Sequence, residues 1–155
     1  MPTNLYGPGD NYDLESSHVI PALLRKAVAA RDAGDANMMV WGTGTPRREF
    51  MHVDDLADAL VFVLKNYSQA AHINVGSGSD VTIAELAATV ADVVGYKGGL
   101  AFDTSRPDGT PRKLMDGAKL AAMGWSPRIG LREGLADAYA HLQRDMAARS
   151  GAARA

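Results

Sequence analysis

Short apolar runs alternate along this chain with longer stretches of helical period, and glycine, proline or a capping residue punctuates each change. His18 to Ala33 places Ile20, Leu23, Leu24, Ala27 and Val28 on one helical face, with Ser16 or Ser17 offered as N-cap, Pro21 in the first turn and Gly34 as terminator. Met38–Trp41 reads as a short strand. The turn Gly42–Pro46 then leads into a return strand over Arg47–Val53, which together make a hairpin. Asp54 is the expected cap of a helix reaching Lys65, its buried side formed by Leu56, Leu60, Val63 and Leu64. Ile73–Val75 is a strand closed by Gly76–Ser79, and Thr82 with Glu85 forms a capping box ahead of a helix that stops at Gly95. Leu100–Phe102 is an edge strand, and Asp116 caps a short helix ending at Gly124. Leu131, Leu135, Ala138, Leu142 and Met146 outline a last helix, followed by a frayed tail over 150–155. No repeat and no linker interrupts the pattern, which is that of α/β or α+β architecture.

With 155 residues the chain has the length of one modest domain or of a piece of a larger one. Its 46% hydrophobic content is that of a folded chain. A balance of 16 basic and 18 acidic residues gives net charge −2 and argues against a nucleic-acid footprint. The absence of cysteine removes disulfides, zinc–thiolate sites and thiol nucleophiles, and fits a reducing compartment. No run approaches the ~18 apolar residues of a membrane span. The N-terminus lacks the basic and apolar regions of a signal peptide and instead resembles the interior of a folded domain.

Several catalytic motifs are missing. Gly42-x-Gly44 enters a turn, and Gly76-x-Gly78 follows a late strand without the third glycine that a dinucleotide cradle needs. None of the five tyrosines has a lysine four residues later, and the four histidines His18, His52, His72 and His141 lack metal-ligand spacing. There is no phosphate-binding P-loop, no His-Glu-x-x-His and no Gly-x-Ser-x-Gly. On its own motifs the chain is not a complete enzyme.

Three segments carry a resemblance nonetheless. Pro2-Thr-Asn-Leu-Tyr-Gly-Pro8 with Asp10-Asn11 resembles a loop of extended short-chain dehydrogenases that act on nucleotide sugars. Ser17-His-Val-Ile-Pro-Ala-Leu23, the run Val40 to Ala57, and Arg106-Pro-Asp-Gly-Thr-Pro-Arg-Lys113 narrow the likeness to the GDP-L-fucose synthase family. The likeness runs from residue 2 to about residue 145 and covers the C-terminal half of the family pattern. The resemblance implies the late part of an NAD(P)-binding Rossmann-type fold, mainly its small substrate domain, over 1–149, with late Rossmann strands near 2–6 and 72–76. It also implies an NADPH-dependent activity in the intact enzyme, which epimerises C3 and C5 of a GDP-4-keto-6-deoxymannose and reduces C4. Cytoplasmic location and a homodimer are implied for the intact enzyme, the dimer being formed by the half not present. NADP(H) is not expected to bind this chain alone. Another nucleotide-sugar epimerase or dehydratase, or a non-catalytic nucleotide-sugar-binding fragment, stays open as an alternative.

By resemblance, His18 is the histidine of the acid/base pair and also contacts the cofactor. At a helix start the dipole disfavours an imidazolium and keeps a neutral base ready; a histidine merely hydrogen-bonded near a cap is the plainer reading. Trp41 is placed to stack on a guanine face or to pack in a core. Arg48 is placed to clamp a diphosphate, with Arg47 solvated on the other strand face. Lys26, two turns beyond His18, is a substrate contact or a surface lysine. Asp108 accepts from guanine or sugar hydroxyls, or forms an Asx-turn before Gly109. Pro2, Thr3, Asn4 and Leu5 line the nicotinamide side. His52 and Asp54 are read as structural.

Overall fold

In the computed structural model residues 1–152 are described. The elements follow one another as β1 (Asn4–Tyr6), α1 (Val19–Ala33), β2 (Asn37–Trp41), β3 (Arg47–His52), α2 (Val53–Asn66), β4 (Asp80–Thr82), α3 (Ile83–Val94), β5 (Gly99–Asp103), β6 (Arg112–Lys113), α4 (Ala118–Ala122) and α5 (Leu131–Ala152).

The organising strand is β3. Its second half, Phe50–His52, pairs in parallel with β1. Its first half pairs antiparallel with β4 through Arg47–Glu49 and in parallel with β6 through Arg47 and Arg48. Successive strand side chains point to opposite faces, and here both faces are covered. Phe50 enters a core built from Leu24, Leu86, Leu135 and Leu142, whereas Met51 enters a second core with Ala59, Ile73, Val75, Leu120 and Trp125. The segment therefore shows no in–out alternation of burial: Glu49 to His52 are all buried.

The expected hairpin is not formed. β2 leaves β3 and pairs instead with β5, in parallel, as a separate two-stranded sheet. Gly42 and Gly44, both with positive φ (81° and 78°), turn the chain from one sheet to the other. The segment Ile73–Val75, expected as a strand, contributes a single parallel bridge from Val75 to Pro2. Two short strands, β4 and β6, are formed where the sequence pattern predicts no strand.

α1 ends as its sequence requires, with Gly34 in the left-handed conformation. Neither serine caps its start. His18 is the N-cap residue without a side-chain bond, the Ser16 hydroxyl donates to Asp13, and the buried Ser17 Oγ has no partner. The Thr82/Glu85 capping box is formed, and Gly95 terminates α3. Asp54 does not cap α2. His52 occupies that position and its Nδ1 accepts from the Asp54 N–H at 3.3 Å. On α2, Leu56 and Val63 pack inward while Leu60 and Leu64 face outward, 55% and 85% exposed, against the expectation that all four are buried. Arg47 is not free in solvent either: its guanidinium bonds the Asp80 carboxylate at 2.9 Å. Asp116 accepts from the Ala118 N–H at the start of α4, although Gly117 is the N-cap residue. α5 buries Leu135, Ala138 and Leu142 as its spacing predicts. It continues as helix to Ala152, where a frayed tail was expected from 150, and 153–155 lie outside the described residues.

Glu49 is fully buried and its carboxylate accepts from the N–H groups of Gly78 and Met115 at 2.8 and 2.9 Å. It thereby ties two distant loops to β3. Asp80 makes a similar tie nearer the surface, with Arg47 on one carboxylate oxygen and Arg112 on the other. The Arg112 hydrogen bond, then that of Arg47, holds its carboxyl below the ordinary carboxylate range.

Two outcomes follow from this packing. Gly134 in α5 lies against the Tyr6 hydroxyl and the His52 ring, with no room for a Cβ. Gly134→Ala should therefore lose about 1–3 kcal/mol in denaturant unfolding, although alanine favours an exposed helix interior by about 1 kcal/mol. A depressed Asp80 pKa in the folded state stabilises the fold above the unfolded carboxyl value of about 3.9. That contribution is lost as pH falls through the lower folded value, so Asp80→Asn should flatten this acid limb of a stability–pH curve and leave the neutral-to-alkaline shape unchanged.

Candidate active site

A cavity of about 770 Å³ opens where β1, the loop after it, the start of α1 and β3 meet. Thr3, Asn4, Leu5, His18, Arg48 and Val53 are among its walls. The β1 residues reach it because the strand ends there. Asn4 Nδ2 donates to the Glu49 carbonyl at 2.7 Å, which fixes the strand against β3. Pro2 lies one step back, held by its bridge to Val75.

His18 stands at the N-terminal end of α1 and lines the cavity with Val19, Ile20 and Pro21. No side chain caps this helix. Its first N–H groups therefore keep their hydrogen-bonding capacity and the positive end of the helix dipole for an anionic group. The other helix starts that flank β3 are closed, α2 by His52 and α3 by its capping box. Tyr6 also faces the cavity and donates to the Leu131 carbonyl. Burial, reinforced by the charges of Asp55 and Glu133, pushes its pKa well above the usual tyrosine range, so it stays neutral.

The other expected site residues form a second group, joined to the cavity through Arg48. The Arg48 guanidinium donates to the carbonyls of Arg47 and Thr110 and is part of the cavity wall. The same 106–113 segment touches two more of them. Asp108 accepts from the Thr43 N–H at 2.9 Å and from its hydroxyl at 2.6 Å. It is therefore neither a free acceptor nor a local Asx-turn but a latch between two loops. These bonds hold its carboxyl below the ordinary range.

Trp41 is 54% exposed at the end of β2, so core packing is not its role. Two cations sit over its ring, Lys26 Nζ at 4.4 Å and the Arg106 guanidinium carbon at 4.9 Å. Lys26 also donates to the Met39 carbonyl at 3.3 Å. Partial burial, then the nearby Arg106 charge, lowers its pKa. Arg106 escaped the sequence reading. Its place in a charged loop was visible, but its position over an aromatic on a distant strand was not. His52, read as structural, is buried edge-on to Tyr6 at 5.6 Å between centroids.

Among the described residues no group of three or more potential ligands is placed to hold a metal ion. No helix of the described chain is long and apolar enough to cross a membrane.

Comparison with known proteins shows what this chain is similar to. Residues 1–76 match the NAD dependent epimerase/dehydratase family. Over 139 residues the chain is 58% identical to the probable GDP-L-fucose synthase 1 of Oryza sativa subsp. japonica, covering 90% of this chain and 42% of that protein. It is 52% identical over 148 residues to the GDP-L-fucose synthase of Escherichia coli K12, covering 90% of this chain and 46% of that one. A crystal structure of a GDP-L-fucose synthetase from Naegleria fowleri bound to NADP superposes with a TM-score of 0.87 at 28% identity, over 94% of this chain and 46% of its own. The chain thus spans less than half the length of the synthases it matches. Its fold is part of the Rossmann-like fold of NAD(P)-dependent epimerases and dehydratases, and the relatives it matches over 90% of its length are named GDP-L-fucose synthases.

Proposed function

We propose that this chain is the C-terminal, nucleotide-sugar-binding part of an NADPH-dependent GDP-L-fucose synthase. The complete protein would epimerise C3 and C5 of GDP-4-keto-6-deoxy-D-mannose and reduce C4. The observation that carries this reading is the cavity in which His18, Arg48 and the end of β1 converge, in a chain 52–58% identical to such synthases.

Inversion next to a ketone needs a base to remove a proton and an acid to return one from the opposite face of a flat enolate. His18 supplies one such group at the mouth of α1. By the family resemblance the partner acid is a cysteine, and this chain has none. The diphosphate is the anion that an uncapped helix start and a cavity-lining guanidinium suit together. Trp41, with Lys26 beside it, offers the exposed aromatic face for the guanine, and Asp108 holds the loop that frames it through Thr43.

NADP(H) supplies hydride to the ketone when bound. The residues present fit only one wall of its site, Thr3, Asn4 and Leu5 beside the cavity, with Pro2 behind them. The sequence has no glycine-rich turn opening a helix, and α2 and α3 begin with filled caps. No pyrophosphate cradle is thus built from this chain alone, and no hydride step is assigned to its residues. Cytoplasmic location and a homodimer belong to this same reading of the complete protein.

Calorimetric titration of the isolated chain tests the reading. It should show weak binding of GDP, abolished by Arg48→Ala, and no heat with NADPH. Turnover of GDP-4-keto-6-deoxymannose by the chain alone would refute the assignment as a part. In a complete synthase containing this segment, His18→Asn should slow solvent-deuterium exchange at C3 and C5 by about 10²–10⁴-fold. Reduction of an already epimerised ketone should slow far less; equal loss of both steps would make the histidine structural.

A further inference from the structure

Trp41 and Asp103 end β2 and β5 as directly opposed residues of a parallel pair. Side chains so opposed stand on one face of a sheet, on strands about 5 Å apart. The charges around them agree with that placement. Lys26 Nζ and the Arg106 guanidinium carbon lie over the Trp41 ring at 4.4 and 4.9 Å. Burial, then the Arg106 charge, lowers the Lys26 pKa, and the Asp103 charge works against both. Arg106 Nε stands 4.0 Å from Asp103 Oδ2. A half-exposed indole is thus ringed by two cations and one carboxylate.

The two oxygens of Asp103 differ. Oδ1 accepts from the Ser105 N–H at 3.1 Å and from the Ser105 hydroxyl. Those bonds hold the carboxyl below the ordinary range, so it is charged at neutral pH. Among the described residues Oδ2 accepts no hydrogen bond, because Arg106 Nε at 4.0 Å is beyond hydrogen-bond reach. The Arg106 guanidinium in turn makes no hydrogen bond among the described residues, whereas Lys26 is tied to the Met39 carbonyl. A base that stacks where a cation now sits therefore displaces Arg106, the looser of the two, and uncovers Oδ2.

Nucleobases differ in what they offer such an oxygen. Guanine has N–H donors at N1 and at the exocyclic N2, and acceptors at O6 and N7 that suit a cation. Adenine places an acceptor at N1 and nothing polar at C2. Uracil has a single N–H between two carbonyl oxygens, which a carboxylate repels. An unpaired carboxylate oxygen beside a stacking surface and two cations fits guanine best.

We propose that Asp103 selects the base of the nucleotide sugar: its Oδ2 accepts from the exocyclic amino group of a guanine stacked on Trp41, in the place that Arg106 gives up. This role rests on the proposed placement of the guanine against Trp41. It adds the residue that tells guanine from other bases.

Calorimetric titration of the 155-residue chain with guanosine, inosine and xanthosine diphosphates tests the role. These carry an amino group, a hydrogen and a carbonyl oxygen at C2. The guanosine form should bind about 10-fold or more tighter than the inosine form, and the xanthosine form should bind weakest. Asp103→Asn keeps an oxygen for the two Ser105 donors and turns its amide N–H groups outward. It should weaken the guanosine form by about 10–100-fold and bind the xanthosine form in preference. Equal affinity of the unsubstituted chain for the guanosine and inosine forms would overturn the proposal, and so would a chain that binds none of the three. An Asp103→Asn chain that still prefers guanosine diphosphate would do the same. A fusion in which the chain replaces the matched segment of the Escherichia coli synthase separates this role from the function. Base selection as expected without turnover of GDP-4-keto-6-deoxymannose by the fusion refutes the function alone. Turnover by the fusion with no base preference in the chain refutes the role of Asp103 alone.

Discussion

The structure depends on a carboxylate with nowhere to go. Glu49 is buried in the middle of β3, and an ionised carboxylate away from water costs several kcal/mol unless donors meet it. The N–H groups of Gly78 and Met115 do so. Gly76 passes so close that a Cβ there would meet the carboxylate at 2.5 Å. Through this one group the glycine-rich loop after Val75 and the chain ahead of α4 are drawn to the strand that also carries Arg48 and pairs with β1. Asp80 repeats the arrangement at the rim, pulling Arg47 and Arg112 together and so fixing the C-terminal end of the 106–113 segment to β3.

That segment gives the site its second half. It reaches Trp41 through Arg106, Thr43 through Asp108 and Arg48 through the Thr110 carbonyl. The end of β2, the turn after it and the start of β3 are thereby held to one loop that lies 62–65 residues further along the chain. The cations over Trp41 repel one another, and Asp103 beside them offsets part of that charge. A nucleotide bringing negative charge would enter a region whose positive groups, including the open start of α1, are already in place. Preorganisation of this kind spares the binding step the cost of ordering side chains.

Local features were legible in sequence because local physics decides them. The αL glycines at 34 and 95, the Thr82/Glu85 box and the apolar rows of α1 and α5 depend on neighbours within a few residues. His18, Arg48 and the β1 residues were legible as site candidates through motif likeness, and the fold brings them to one cavity. The hairpin expected at Gly42–Pro46 was not formed, because a turn between two strands does not say which partners they take. β2 finds β5, about sixty residues later, and β3 finds β1. His52 as the cap of α2 was missed for a related reason. A histidine caps a helix only when its ring is turned toward the exposed N–H, and Tyr6 and the close approach of Gly134 hold the His52 ring from elsewhere in the chain.

Sequence alone determined where α1 and α3 stop and how α3 is capped, which rows of side chains are apolar, and that the motifs of a nucleotide cradle and of hydride chemistry are absent from this chain. Those are matters of residue type and short spacing. Only the tertiary structure decided that Glu49 is a buried anchor, that Asp108 latches to Thr43, that Arg106 shares Trp41 with Lys26, and that half of α2's apolar surface has no cover within the described chain. Each joins groups tens of residues apart or depends on what packs above a helix. Long-range pairing is chosen by the free energy of the whole packed arrangement, which no window of sequence contains.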